Sequence, residues 1–196
     1  MGIRSRYKRL QRLSDGPFPA LTIRVARRFL IDYPDFGPAW LLLGIALFEM
    51  ARYEEAEQAI GKGIDLWPSE NLRIPLAQMG HLFQEAGDYD QAAAWYRRAI
   101  AADPENAGGH IYLGNVLARQ GRLHEAEEVY RAAIRCAKGF IEEAYLNLGL
   151  VLRARERFHE AADCLREALR LDPNYREARR PLRDVEACIK WLERPA

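Results

Sequence analysis

Apolar and polar residues change their rhythm abruptly at Glu49. Before it, "AWLLLGIALF" runs apolar from Ala39 to Phe48; after it, "ARYEEAEQAI" places Tyr53, Ala56, Ala59 and Ile60 at helical spacing with glutamates between them. The apolar run is about half of the ~20 residues that a membrane-spanning helix requires. A short apolar helix, a tight turn and an amphipathic helix predict a helical hairpin.

The same rhythm returns along the chain. Four segments of 34 residues align in phase: "GPAWLLLGIALFEMARYEEAEQAIGKGIDLWPSE" from Gly37, "RIPLAQMGHLFQEAGDYDQAAAWYRRAIAADPEN" from Arg73, "AGGHIYLGNVLARQGRLHEAEEVYRAAIRCAKGF" from Ala107 and "EEAYLNLGLVLRARERFHEAADCLREALRLDPNY" from Glu142. Asn71 and Leu72 separate the first pair, and Ile141 the last. Position 8 is Gly44, Gly80, Gly114 or Gly149, and position 20 is Ala56, Ala92, Ala126 or Ala161. Small side chains there allow two antiparallel helices to approach closely. Position 24 is larger (Ile60, Tyr96, Tyr130, Leu165) and fills the space between hairpins, and position 27 is small again (Gly63, Ala99, Ala133, Ala168). Gly87 and Gly121 suit the turn inside two units. Pro68, Pro104 and Pro173 stop the second helix, whereas Lys138-Gly139 replaces this stop in the third unit, where a looser boundary is expected.

The flanks read as end units. "IRSRYKRLQRL" and "PALTIRVARRFLIDYPD", the latter ending near Pro34, form a degenerate hairpin with the same late-proline phase. "REARRPLRDVEACIKWLE" places Leu182, Val185 and Ile189 on one face, as an end helix needs in a stack whose units touch only their neighbours. Pro181 is expected to kink that helix or to mark its start.

With Trp40, Leu43, Gly44, Ala56 and Pro68 in place, the unit resembles the tetratricopeptide repeat, and the four copies extend the resemblance from Gly37 to Tyr175. Leu76 and His110 stand where that family has its aromatic residue, and Leu47, Leu117 and Leu152 replace its tyrosine, changes that alter packing locally. The resemblance implies an all-α fold, a right-handed superhelical solenoid of antiparallel helical hairpins with a C-terminal capping helix. Its parts would be residues 1–36 (degenerate hairpin), 37–70, 73–106, 107–140 and 142–175 (repeats) and 176–194 (cap), in one continuous domain. It also implies a concave groove lined by the first helix of each repeat. The residues it assigns there are Leu41, Ile45, Phe48 and Glu49 in the first repeat, and His81, Gln84 and Glu85 in the second. In the third they are Ile111, Asn115 and Arg119, and in the fourth Asn147, Leu150 and Arg153. Such a groove is apolar at its first repeat, polar in the middle and basic toward the last; the apolar end either stands open or is covered by the N-terminal hairpin. Asn115 and Asn147 match asparagines of the family's carboxylate clamp for chaperone tails. Ile111, however, stands in place of the clamp lysine, and Arg180 only approximates its later basic residue.

Composition narrows the chemistry. Among 196 residues, 49% are apolar and 29% charged, with a net charge of +1, so the whole molecule has no bulk attraction to nucleic acid or membrane. Arginine outnumbers lysine by 25 to 4. Ser5, Ser14, Ser69 and Thr22 are the only hydroxyl side chains besides tyrosine, which leaves little for serine nucleophiles or phosphoregulation. Cys136, Cys164 and Cys188 are odd in number and widely spaced, as reduced thiols of a cytoplasmic protein would be. "MGIRSRYKRLQRL" lacks the apolar core of a signal peptide, and Arg6 breaks the myristoylation pattern. His124-Glu125 and His159-Glu160 resemble half of the H-E-x-x-H zinc motif, but Glu128 and Asp163 occupy the place of the second histidine.

These readings converge on protein–protein interaction without catalysis, cofactor or metal: another protein or a peptide segment is expected in the groove. Nucleic acid, membrane insertion and peripheral membrane contact are not expected. Self-association is one alternative. The other is an adaptor for anionic surfaces working through the basic N-terminal helix, where residues 1–36 carry +5 beside −4 over residues 37–72. There Ile3, Tyr7 and Leu10 form an apolar stripe among Arg4, Arg6, Lys8, Arg9 and Arg12.

Overall fold

In the computed structural model, which describes residues 2–68 and 70–194, eleven helices are joined by short turns and no strand occurs among those residues. The first is α1 (Ile3–Ser14), followed by α2 (Pro19–Asp32), α3 (Gly37–Glu49), α4 (Tyr53–Asp65), α5 (Arg73–Glu85) and α6 (Tyr89–Ala102). Then come α7 (Ala107–Arg119), α8 (Leu123–Ala133), α9 (Ile141–Ala154), α10 (Phe158–Leu171) and α11 (Arg176–Leu192). Contacts divide the chain into two compact units, Met1–Ala102 and Asp103–Ala196, where one continuous domain is the expectation from sequence. Stacked hairpins touch only their neighbours, so contacts in such a chain divide readily. No helix among the described residues is long and apolar enough to cross a membrane.

In the first unit α1 pairs with α2, α3 with α4 and α5 with α6; α2 packs on α3, and α4 on α5. In the second unit α7 pairs with α8 and α9 with α10, α8 packs on α9, and α11 lies on α10 and α9. Sequence causes this directly. An added Cβ would come within 2.5 Å of Ile60 at Gly44, 2.5 Å of Tyr96 at Gly80, 2.5 Å of Tyr130 at Gly114 and 2.8 Å of Leu165 at Gly149. Position 8 must therefore stay glycine for position 24 of the same hairpin to seat against it. The N-terminal hairpin, numbered in the same phase from Ile3, reverses the sizes: Leu10 stands at position 8 and Ala26 at position 24, both fully buried in one cluster.

The turn inside each repeat places position 15 in the left-handed region: Gly87 and Gly121 in the second and third repeats, but Ala51 and Glu156 in the first and fourth. The third repeat's end is pinned, contrary to the looseness expected of Lys138-Gly139. After α8 the backbone of Lys138 donates to Glu105 O (3.0 Å) and accepts from Ala107 N (2.8 Å), a single bridge to the start of α7. Gly139, at φ +106°, lies so close to Ala107 that a Cβ would approach it to 3.1 Å. Helix α11 starts at Arg176 and runs through Pro181; the proline sits in its early turns and removes only the bond that its own N–H would give Glu177.

Candidate functional site

The candidate residues fall on the first helix of each repeat and divide between the two units. In the first unit, Leu41 is only 4% exposed and belongs to the core cluster; Ile45 and Phe48 are half-buried against the same cluster, which also holds Leu10 of α1. The apolar end is thus largely enclosed by α1 and α3 themselves, and Phe48 meets Tyr53 edge-on at 5.8 Å. Glu49 and Glu85 are exposed, and His81 and Gln84 half-buried. In the second unit Ile111 is 1% exposed and sits in the core with Ala107, Ala133 and Ala144. Leu41 and Ile111, expected in the groove, therefore offer no surface to a partner: position 5 is turned into the packing between helices. Asn115, Asn147, Leu150 and Arg153 are half-buried, and Arg119 is exposed.

Tyrosine hydroxyls organise the polar residues. The Tyr96 ring lies against Gly80, and its hydroxyl emerges on α5, where it donates to Gln84 Oε1 (3.1 Å) and lies 2.8 Å from His81 Nδ1. The one hydroxyl thus ties His81 and Gln84 together on this face. Burial holds His81 below its usual range while Glu85 pulls the other way, so the ring is neutral. Tyr130 repeats this geometry over Gly114 and donates to Asn115 Oδ1 at 2.5 Å. Burial, with the charge of Glu143 adding to it, pushes the Tyr130 phenol well above its ordinary pKa and keeps it a donor. Asn147 Nδ2 also donates to Asn115 Oδ1, at 3.3 Å. With that oxygen holding two donors, Asn115 has its Nδ2 left to offer and Asn147 its Oδ1. One donor and one acceptor therefore remain on the pair, the two kinds of group that the C=O and N–H of an extended backbone require.

Charge at this face differs from expectation in one respect. Arg153 is engaged by Asp184 of α11 at 2.9 Å, so its charge is already matched; Arg119 has no ion pair among the described residues. Away from the face, Glu127 is nearly buried and receives Arg131 (3.0 Å), Arg157 (2.7 Å) and Arg155, while Glu160 takes Arg157 (2.5 Å) and Arg131 (3.3 Å). Burial alone would raise the Glu127 carboxyl, but hydrogen bonds from Arg157 and Arg131 hold it below the usual range. His124 and His159 are exposed, each beside one glutamate, Glu128 at 3.9 Å and Glu193 at 3.5 Å. Among the described residues no group of three or more histidine, cysteine or acidic side chains is placed to hold a metal.

The tyrosine hydroxyls are the part that sequence reasoning missed. Position 24 reads as bulk, and the only hint of a second role is that two of its four residues carry a hydroxyl while position 9 of the same repeats is polar.

Comparison with known proteins identifies the repeat. Two family models, both described as tetratricopeptide repeat, match the chain, one over residues 35–105 and 109–174 and the other over 78–139. The chain belongs to the tetratricopeptide repeat (TPR) family. Cellulose synthase operon protein C of Xanthomonas axonopodis pv. citri is 38% identical over 77 residues, 39% of this chain and 5% of that protein. The chain spans 5 to 12% of the length of the curated relatives it matches. Among solved structures, the C-terminal part of a TPR repeat-containing protein from Cytophaga hutchinsonii has a TM-score of 0.79 at 15% identity, covering 95% of this chain and 72% of that one. YrrB, described as a TPR protein with an unusual peptide-binding site, has a TM-score of 0.64 at 19% identity, covering 86% of each chain. At these identities the likeness is one of fold.

Proposed function

We propose that the chain is a protein–protein interaction module that holds an extended peptide or partner segment on the first-helix faces of its repeats and performs no chemistry of its own. The observation that carries this reading is the Asn115–Asn147 pair. Its inner hydrogen bonds are satisfied by Tyr130 and by each other, and its remaining donor and acceptor match a peptide backbone. A side-chain pair preset in this way binds without first reorganising, which lowers the entropic cost of recognition. Arg119 supplies the charge for a carboxylate on the partner, and Leu150 a half-exposed apolar contact. The family membership and the peptide-binding site named for YrrB support the same class of function.

The experiment is affinity capture from native lysate with immobilised wild-type chain beside an Asn115→Ala/Asn147→Ala variant of unchanged helix content. A discrete protein retained by wild type and lost with the variant supports the reading; retention indifferent to both substitutions overturns it. A second reading, self-association, draws on Trp191 and Leu192 at the end of α11, 70% and 58% exposed. Sedimentation of wild type and of Trp191→Ser separates the two.

A further inference from the structure

We infer that the cleft between α1 and α2 is a second docking site, for an acidic amphipathic segment of another protein, independent of the faces proposed above. The cleft has a volume of about 610 Å³, with exposed Leu21 and half-buried Val25 along it, the buried Phe29 at its base, and Arg9, Arg24 and Arg28 around it. Its own carboxylate, Asp32, is taken by Arg6 at 2.7 Å. Arg9, Arg24 and Arg28 are exposed and have no carboxylate partner among the described residues. The site therefore presents three unmatched guanidiniums around an apolar strip, and its complement is a segment with carboxylates beside apolar side chains.

Repeat phase shows that this face is adapted rather than merely uncovered. At position 4 the four repeats carry Trp40, Leu76, His110 and Tyr145, and at position 7 they carry Leu43, Met79, Leu113 and Leu148, all four of the latter buried. The N-terminal hairpin has Arg6 and Arg9 at those positions. Another apolar hairpin stacked here would bury guanidiniums without partners, at high cost. A second copy docking through its α11 end is a poor complement as well, because residues 176–194 carry six basic and four acidic side chains. A membrane is disfavoured by the use of the α1 stripe: Leu10 is fully buried, and Tyr7 meets Phe36 edge-on at 4.8 Å, so the helix has little apolar face left to insert. Nucleic acid lacks a stacking platform, since Phe29 is buried and Arg6 covers the Tyr33 ring at 5.3 Å.

The test is fluorescence anisotropy of the full chain with a labelled synthetic helix carrying glutamates on one face and leucines on the other. Saturable binding is expected, weakened about tenfold or more by Arg9→Glu/Arg24→Glu/Arg28→Glu, as the summed loss of three solvent-facing charge contacts requires. Leu21→Ser, or serine in place of the peptide leucines, should weaken it as well, whereas Asn115→Ala/Asn147→Ala should leave it unchanged. Unaltered melting of each variant confirms intact folds. Absence of binding, equal binding by the triple variant, or loss with the asparagine variant alone overturns the proposal. So does binding only to vesicles of equal parts phosphatidylcholine and phosphatidylserine, or only to single-stranded DNA.

Discussion

The two middle repeats and the two outer ones solve the same packing problem with different chemistry. All four set a large position-24 side chain against a position-8 glycine, but the second and third use tyrosine where the first and fourth use isoleucine and leucine. The middle repeats also carry glycine at the left-handed turn position, and the outer ones alanine and glutamate. The difference separates two demands. Helix pairing needs only volume, which an aliphatic side chain supplies as well as a ring. The hydroxyl of a tyrosine adds a hydrogen bond on the far side of the first helix, and it does so in the repeats whose position 9 is polar, His81 and Asn115.

The comparison breaks most visibly at the glycines. Gly80→Ala and Gly114→Ala drive a methyl into a rigid ring and should cost roughly 2–3 kcal/mol in urea unfolding. Gly149→Ala meets Leu165, which has other rotamers, and should cost about 1 kcal/mol. Equal losses at all three sites would show that ring rigidity is not the determinant. The third repeat differs from the second in another way, Glu127 standing where Ala93 does, and Glu127→Gln should destabilise by about 2 kcal/mol by leaving the arginines above it poorly matched. Because the folded carboxyl lies below its ordinary value of 4.5, its contribution is full above that pH and is lost as pH falls through the folded value. Wild type should therefore lose its advantage over the variant on acidification below about pH 4.5, as followed by thermal melting.

Removal of one hydroxyl sharpens the contrast. Tyr130→Phe should cost about 1 kcal/mol and also weaken any ligand that depends on Asn115, whereas the outer repeats have no hydroxyl at this position to lose. The smallest expected effect has the opposite sign: Ala51→Gly and Glu156→Gly remove left-handed strain and should each stabilise by about 0.5–1 kcal/mol, while Gly87→Ala and Gly121→Ala should destabilise by a like amount. Melting temperatures of the four variants test that symmetry.

Much of this architecture was legible in residue spacing. The period of the small positions locates α3 to α10, because a glycine that admits a neighbouring helix is a local requirement visible at one position. The end of the third repeat was misjudged because its stop is a backbone bridge to Asn106, a contact between residues far apart in sequence that no side-chain pattern announces. The groove was legible only as a face. Position 5 lies at its edge, and whether Leu41 and Ile111 turn outward or into the core depends on how closely the next hairpin sits. Arg153 was readable as a cation, but its pairing with Asp184 needed the path of α11.

The N-terminal hairpin extends the lesson about volume. With Leu10 on the first helix and Ala26 on the second, both fully buried, the large and the small residue have changed sides while the hairpin still closes. What the hairpins of this chain share is a sum over two positions, and no column of a position-by-position comparison records a sum. Kinship judged by residue identity will stop short of where kinship judged by fit continues, and a design that pairs large-first with small-first hairpins could fix which units are able to sit next to one another.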